Sequence, residues 1–176
     1  MSDLGKRLAS GDQEAFGEAV ERYSQRVYGL CYRILRDEEE AKDMAQEVFV
    51  RIYLKRKTFK RKSSLYTWIY RIAINMCFSH LKKHKVRIVP LDEVEGMLRA
   101  VRQDDGSSYA ELEKLLGKAL DSLPPKQRAV FAMRFYEKMS FKEISEAMGT
   151  SIGAAKANHH FAVERLRRIL GEIRAT

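Results

Sequence analysis

Between Arg51 and Arg87 the chain carries twelve Lys or Arg and no Asp or Glu, with Tyr53, Phe59, Tyr66, Trp68, Tyr70 and Phe78 threaded through the charge. Cations hold phosphates and flat rings stack on bases, so this combination suits an unpaired nucleic-acid strand. A solvated basic face ordinarily mixes both signs, which argues against a bland surface here. The chemistry on offer is non-covalent. The acid-free stretch has no carboxylate pair for metal ions. Elsewhere there is neither a nucleophile with its base and orienting group nor a glycine-rich phosphate loop, so an enzyme is not expected and no cofactor is implied. Cys77, His80 and His84 stand at i, i+3 and i+7, but without a fourth ligand or a paired motif no metal site is expected.

The net charge of +9 is unevenly spread over the 176 residues: residues 1–50 carry −4, 51–87 carry +12, 88–120 carry −3 and 121–176 carry +4. Two basic blocks attract nucleic acid or anionic lipid, and the acidic spacer between them can avoid or imitate the same ligand. No apolar run approaches a membrane span and Met1 to Gly11 lacks the apolar core of a signal peptide, so a cytoplasmic protein is expected. Cys31 and Cys77 lie far apart with no CxxC, which fits two buried small apolar residues rather than a disulfide framework.

Positioning these groups falls to helices. Strand signals are nearly absent, since the short run Val86 to Leu91 is interrupted by Pro90, and the fold class is all-α. Residues 13–35 place Phe16, Ala19, Val20, Tyr23, Val27, Leu30, Cys31, Ile34 and Leu35 three and four apart, predicting a long helix with one buried face that ends at Arg36-Asp37. A second helix, from about Glu38 to Lys55, turns Ala41, Met44, Ala45, Val48, Phe49, Ile52 and Tyr53 inward. Val50 and Leu54 then project from the opposite side beside Asp43 and Glu47, an apolar ridge ringed by polar residues that points to a protein partner. After a loop from Thr58 to Ser64, with Ser63 or Ser64 as N-cap, a third helix buries Leu65, Trp68, Ile69, Ile72, Ala73, Met76 and Leu81. Its front shows Tyr66, Thr67, Tyr70, Arg71, Asn75 and Phe78.

From Ile88 to about Tyr109 the periodicity fades and Asp, Glu, Gly and Ser collect, notably in Gln103 to Ser108, which predicts a linker between two separately folding pieces. Leu91, Val94, Met97, Leu98 and Val101 are its candidate anchors. The second piece opens with Leu112, Leu115, Leu116, Ala119, Leu120 and Leu123 on one face, and Pro125 suits the first turn of a helix to about Tyr136. A short helix from Ser140 to Met148, Gly149, and a last helix capped by Thr150 or Ser151 and running to about Ile173 make a helix-turn-helix, whose second helix enters a DNA major groove. With Ala155, Ala162, Leu166 and Ile169 inward, Lys156, Ala157, His160 and Phe161 are left outside and Asn158 at the edge, with Arg165, Arg167 and Arg168 adding charge.

Four blocks in order carry a resemblance: Asp43-Met-Ala-Gln-Glu-Val-Phe49, Tyr66-Thr-Trp-Ile-Tyr-Arg-Ile-Ala73 with Asn75, Leu123-Pro-Pro-Lys-Gln-Arg128, and Ser140-Phe-Lys-Glu-Ile-Ser145. They resemble the conserved blocks of the bacterial sigma-70 family in its two-domain, extracytoplasmic-function (ECF) group, over about Ala15 to Leu170. The resemblance implies a region 2 helical bundle at 1–88, a linker at 89–111 and a region 4 helix-turn-helix at 112–176. It implies an alternative sigma factor that binds core RNA polymerase, directs it to -35 and -10 promoter elements and promotes melting. A conventional helix-turn-helix regulator acting without polymerase is the alternative, but it has no use for the aromatic basic stretch.

By the same resemblance, Asp43, Gln46, Glu47, Val50 and Leu54 would dock on the β′ clamp helices, and Phe59, Lys60, Arg61, Lys62, Ser63, Tyr66, Thr67, Tyr70, Arg71 and Asn75 would open and hold the -10 element. Ser151, Lys156, Ala157, Asn158, His160, Phe161 and Arg165 would read the -35 element, with the β flap as a neighbour. The acidic linker would thread toward the RNA exit path, and an anti-sigma factor is the expected regulator. The last helix departs from the family pattern: Asn158 and Phe161 replace cations and His159 sits where a buried Leu is usual. Apolar contact of Phe161 and His160 with thymine methyls is therefore expected.

Overall fold

A computed structural model of the chain describes residues 3–85, 88–90, 92–96 and 109–174. Among these there is no strand. The elements are α1 (Asp3–Ser10), α2 (Gln13–Leu35), α3 (Glu38–Lys55), a 3-10 turn (Arg56–Thr58), α4 (Leu65–His84), a short helical segment at 92–96, α5 (Tyr109–Asp121), α6 (Pro125–Phe135), α7 (Phe141–Met148) and α8 (Ile152–Arg174).

Local chemistry sets the boundaries. The Asp12 carboxylate accepts from the Glu14 and Ala15 amides and starts α2, while the Arg7 guanidinium at 2.8 Å holds that carboxyl below its usual range. Arg36 takes a left-handed φ of 60° to end α2, and Asp37 immediately caps α3 by accepting from the Glu40 amide. Ser64 caps α4, and Pro125 occupies the first turn of α6, as expected. Helix α1 was not expected. Its eight residues are too few for a periodic signal, yet Leu4 and Leu8 are buried.

Of the anchors proposed for the linker, Val94 is buried; Leu91, Met97, Leu98, Val101, the run Gln103 to Ser108 and Val86 and Arg87 of the β-branched run lie outside the described residues, as does the Leu112 side chain. Two separate cores were expected on either side of that linker. Instead the larger apolar cluster crosses it, running from Leu8 through Ile69 and Ile74 to Met133, Ile144 and Ala147. A smaller cluster gathers Val94, Leu120, Phe131, Leu166 and Ile169. The crossing is made by α2 against α6 and by α4 against α7.

Candidate nucleic-acid interface

Helix α3 shows two faces, as its periodicity requires. Ala41, Met44, Ala45, Val48, Phe49 and Ile52 are buried, while Asp43, Gln46, Glu47, Val50 and Leu54 all lie outside. Val50 is 60% and Leu54 70% exposed. Tyr53, Phe16 and Val20, expected inside, are half-buried because they line a groove of about 760 Å³ between α2 and α3, which Gln46, Phe49 and Val50 border. An apolar groove continuous with an apolar ridge has the shape and chemistry that can receive an amphipathic helix.

The loop after α3 turns its cations outward: Lys60, Arg61 and Lys62 are exposed, with Arg61 at a φ of 57°. Phe59 turns the other way. It was expected to meet a base but is buried, its ring 5.2 Å from that of Trp68 and packed against Gly5 of α1. The reason is packing: α1 supplies an apolar floor under the loop, and a phenyl ring loses more by facing water than the loop gains by showing it.

Helix α4 differs more sharply from expectation. Arg71 and Asn75 are exposed, Ser63 and Tyr66 half-buried, but Thr67 and Tyr70 are buried, Tyr70 completely. Trp68 and Met76, expected inside, are only half-buried. Thr67 is held by the cap, with the Ser64 hydroxyl donating to its Oγ1 at 2.8 Å. Tyr70 is covered because α7 lies on the front of α4, a neighbour that no local pattern announces. Its hydroxyl donates to Glu137 Oε2 at 2.6 Å, and Arg26 of α2 reaches the same oxygen at 2.9 Å. The Tyr66 hydroxyl donates to Glu143. Burial, then the carboxylate, pushes the Tyr66 phenol up to about 12 and Tyr70 higher still. The two rings meet edge to face at 5.8 Å, with the Arg26 guanidinium 5.6 and 5.8 Å from their centroids.

Behind them α3 and α4 enclose a polar cleft of about 560 Å³ lined by Arg51, Lys55, Asn75, Ser79, Lys83 and His84 among others. Of these, only Asn75 is among the contacts that the resemblance implies. The basic composition was the signal for the rest; their convergence needed the crossing of two helices.

Helix-turn-helix geometry is present in α7 and α8. Ser140 and Glu143 form a capping box, Gly149 adopts a φ of 65°, and the Ser151 hydroxyl accepts from the Ala154 amide at 3.0 Å. Ser145 and Ala155 are buried at the contact between the helices. Ala155, Ala162, Leu166 and Ile169 face inward; Ser151, Lys156, Ala157, His160 and Phe161 are exposed, Arg165 half-buried. Asn158 is half-buried and its amide donates to the Ala154 carbonyl at 3.0 Å. His159 packs edge to face on Phe141 at 5.3 Å, and burial lowers its pKa, so a neutral imidazole fills the apolar slot.

Two family models match this chain. Sigma-70 region 2 covers residues 19–87 and Sigma-70, region 4 covers residues 113–166, together most of its length. The chain belongs to the sigma-70 family, in its ECF group. The ECF RNA polymerase sigma factor SigW of Bacillus subtilis is 32% identical over 178 residues, covering 96% of this chain and 95% of that protein. The RNA polymerase sigma-H factor of Pseudomonas aeruginosa is 29% identical, covering 95% and 92%. The solved structure of CnrH, in complex with the cytosolic domain of CnrY, shares the fold at a TM-score of 0.72 and 23% identity, covering 96% of each chain. The protein is thus an alternative sigma factor, and its two helical regions are regions 2 and 4. No described helix of this sigma factor is long and apolar enough to cross a membrane.

Proposed function

We propose that this sigma factor docks on core RNA polymerase through Asp43, Gln46, Glu47, Val50 and Leu54, and opens promoter DNA with the loop Lys60 to Ser63 and the face of α4. Residues 1–88 form the docking and melting unit, 89–111 the linker, and 112–176 the -35 reader. Supporting this reading is one juxtaposition. An unpartnered apolar ridge on α3 stands next to a loop and cleft that carry Arg51, Lys55, Lys60, Arg61, Lys62 and Lys83. Polymerase binding and strand capture thereby fall on adjacent surfaces of one small bundle. Capturing an unstacked base offsets a few kcal/mol of unstacking, so opening needs no ATP and no covalent step.

The linker would pass toward the RNA exit path, and Lys156, Ala157, His160, Phe161 and Arg165 would face the -35 major groove beside the β flap. The solved relatives CnrH and RpoE of Bartonella quintana are each bound to a partner, for RpoE the anti-sigma factor NepR. An anti-sigma protein covering the α3 ridge fits this chain too, in the cytoplasm where polymerase works. The test mixes purified factor with core polymerase and promoter fragments taken from start sites mapped after overexpression. Permanganate-reactive thymines at the -10 element are expected only with the factor present; a stable factor–polymerase complex that never opens any of these promoters refutes the reading.

A further inference from the structure

We infer that the junction between the end of α4 and the start of α6 binds a soluble acyl anion, its tail against Phe78 and Ile88 and its carboxylate among Lys82, Lys85, Lys126 and Arg128. The site is separate from the α3 ridge and from the basic cleft between α3 and α4. A cavity of about 550 Å³ opens there, within the range of about 300–1,000 Å³ where small-molecule sites fall. Its walls are divided by chemistry. Phe78, Leu81, Ile88 and the Pro124-Pro125 pair supply apolar surface, and Ile88 is left 42% exposed. The charged side has one sign: among the described residues the four cations line it and no Asp or Glu does. No ion pair among the described residues engages Lys82, Lys85 or Lys126.

Two features of α6 call for an anion. The helix opens at Pro124 with no side-chain cap and no acid in its first turn. The Lys126 and Gln127 amides have no partner within the helix, and both residues lie at the cavity wall, where the positive end of the dipole favours negative charge. Arg128 lines the same wall and is 3% exposed. Its Nη1 and Nη2 hold the Ile34 and Leu123 carbonyls, but its Nε is buried without a hydrogen-bond partner. A buried guanidinium with an unused donor and no salt bridge carries a desolvation cost that an adjacent anion offsets. A nucleotide suits the walls less well. Beyond the cations, the polar side chains described there are Gln127 and Asn158, and the Asn158 amide is committed to the Ala154 carbonyl. An acyl chain asks for apolar contact and one anionic clamp, which is what the cavity offers.

The experiment titrates the full chain with dodecanoate in a calorimeter. One equivalent is expected to bind, with a dissociation constant on the order of 10 µM. Dodecyltrimethylammonium, which has the same tail and the opposite charge, should not compete, and neither should ATP, an anion without the tail. Lys82→Gln/Lys126→Gln should weaken binding about tenfold, and both side chains are exposed, so the fold is kept. Ile88→Asp, also at an exposed position, should weaken it similarly by setting an acid beside the tail. Lys6→Gln/Lys57→Gln removes the same charge from exposed positions outside the cavity and should bind as wild type does. Far-UV dichroism checks that each variant keeps its helices. Absence of saturable binding, equal binding of the cationic amphiphile, displacement by ATP, or an affinity unchanged in either cavity variant overturns the inference. An equal loss in the Lys6 and Lys57 control reveals diffuse charge attraction and overturns it as well.

Discussion

Arg128 Nη1 donates to the Ile34 carbonyl at 2.9 Å, so a guanidinium only 3% exposed on α6 closes the C-terminal end of α2. Its Nη2 takes the Leu123 carbonyl at 3.1 Å. Helix-end carbonyls lack partners within the helix, and a cation there also meets the negative end of the dipole. Burial opposes the charge and lowers the Arg128 pKa to about 10, which shows that the contact is not free of cost. Arg128→Met regains that desolvation but strands two carbonyls, and a net loss of about 2 kcal/mol is expected. Urea unfolding monitored by far-UV dichroism measures it. A midpoint equal to wild type would mean that the guanidinium contributes nothing net.

The phenol of Tyr66 should titrate late. Its pKa stands at about 12 against an ordinary 10.0, with burial the first cause and the Glu143 carboxylate the second. The native state keeps a proton that the unfolded chain releases near pH 10, so this contribution to stability is complete below 10 and lost as pH rises through 12. Glu143 behaves oppositely: its pKa is lowered, first by the Tyr66 hydrogen bond, so its contribution is present above 4.5 and fades as pH falls through the depressed value. Tyrosine Cζ NMR follows the phenol directly. In Glu143→Gln the midpoint should drop part of the way toward 10, because burial remains; a Tyr66 midpoint near 10 in the wild type would contradict the contact.

How far this was legible from the sequence depends on the range of the interaction. The two faces of α3 follow from one period of 3.6 residues, and Val50 and Leu54 emerge on the outside as that period demands. The cap Ser64 and the stop at Gly149 are written in neighbouring residues and are found in place, whereas Ser140, read as the first residue of its helix, is instead the N-cap. Tyr70 was misplaced for the opposite reason. Its burial depends on α7, and its partner Glu137 is 67 positions away. Phe59 likewise depends on α1, too short to leave a periodic trace. Local pattern could describe what each helix offers, but not which of two apolar-capable faces a distant helix would take.

Val50→Asp with Leu54→Asp tests the ridge without disturbing the bundle. Both side chains are mostly exposed, so unfolding free energy should stay within about 0.5 kcal/mol of wild type. Affinity for core polymerase should fall at least tenfold, the loss expected when apolar anchors at the centre of an interface are replaced by charge. Biolayer interferometry on immobilised polymerase reads the difference. Unchanged binding would move the docking surface elsewhere, most economically to the neighbouring groove between α2 and α3.

Phe161 is 57% exposed on α8 and stands where the family commonly has a cation, so it adds apolar surface rather than a phosphate contact. A phenyl ring facing a major groove gains from a thymine methyl and gains nothing from the same base without it. The prediction is therefore made on the DNA. Replacing thymine by uracil in the -35 duplex should weaken wild-type binding by about 1 kcal/mol per contacted methyl, and Phe161→Ala should bind the two duplexes alike. Stability of the variant should match wild type, since Ala162, Leu166 and Ile169 keep the inward face. Fluorescence anisotropy at fixed salt supplies both affinities. A wild type indifferent to the methyl would assign the -35 contact to Lys156 and Arg165 instead.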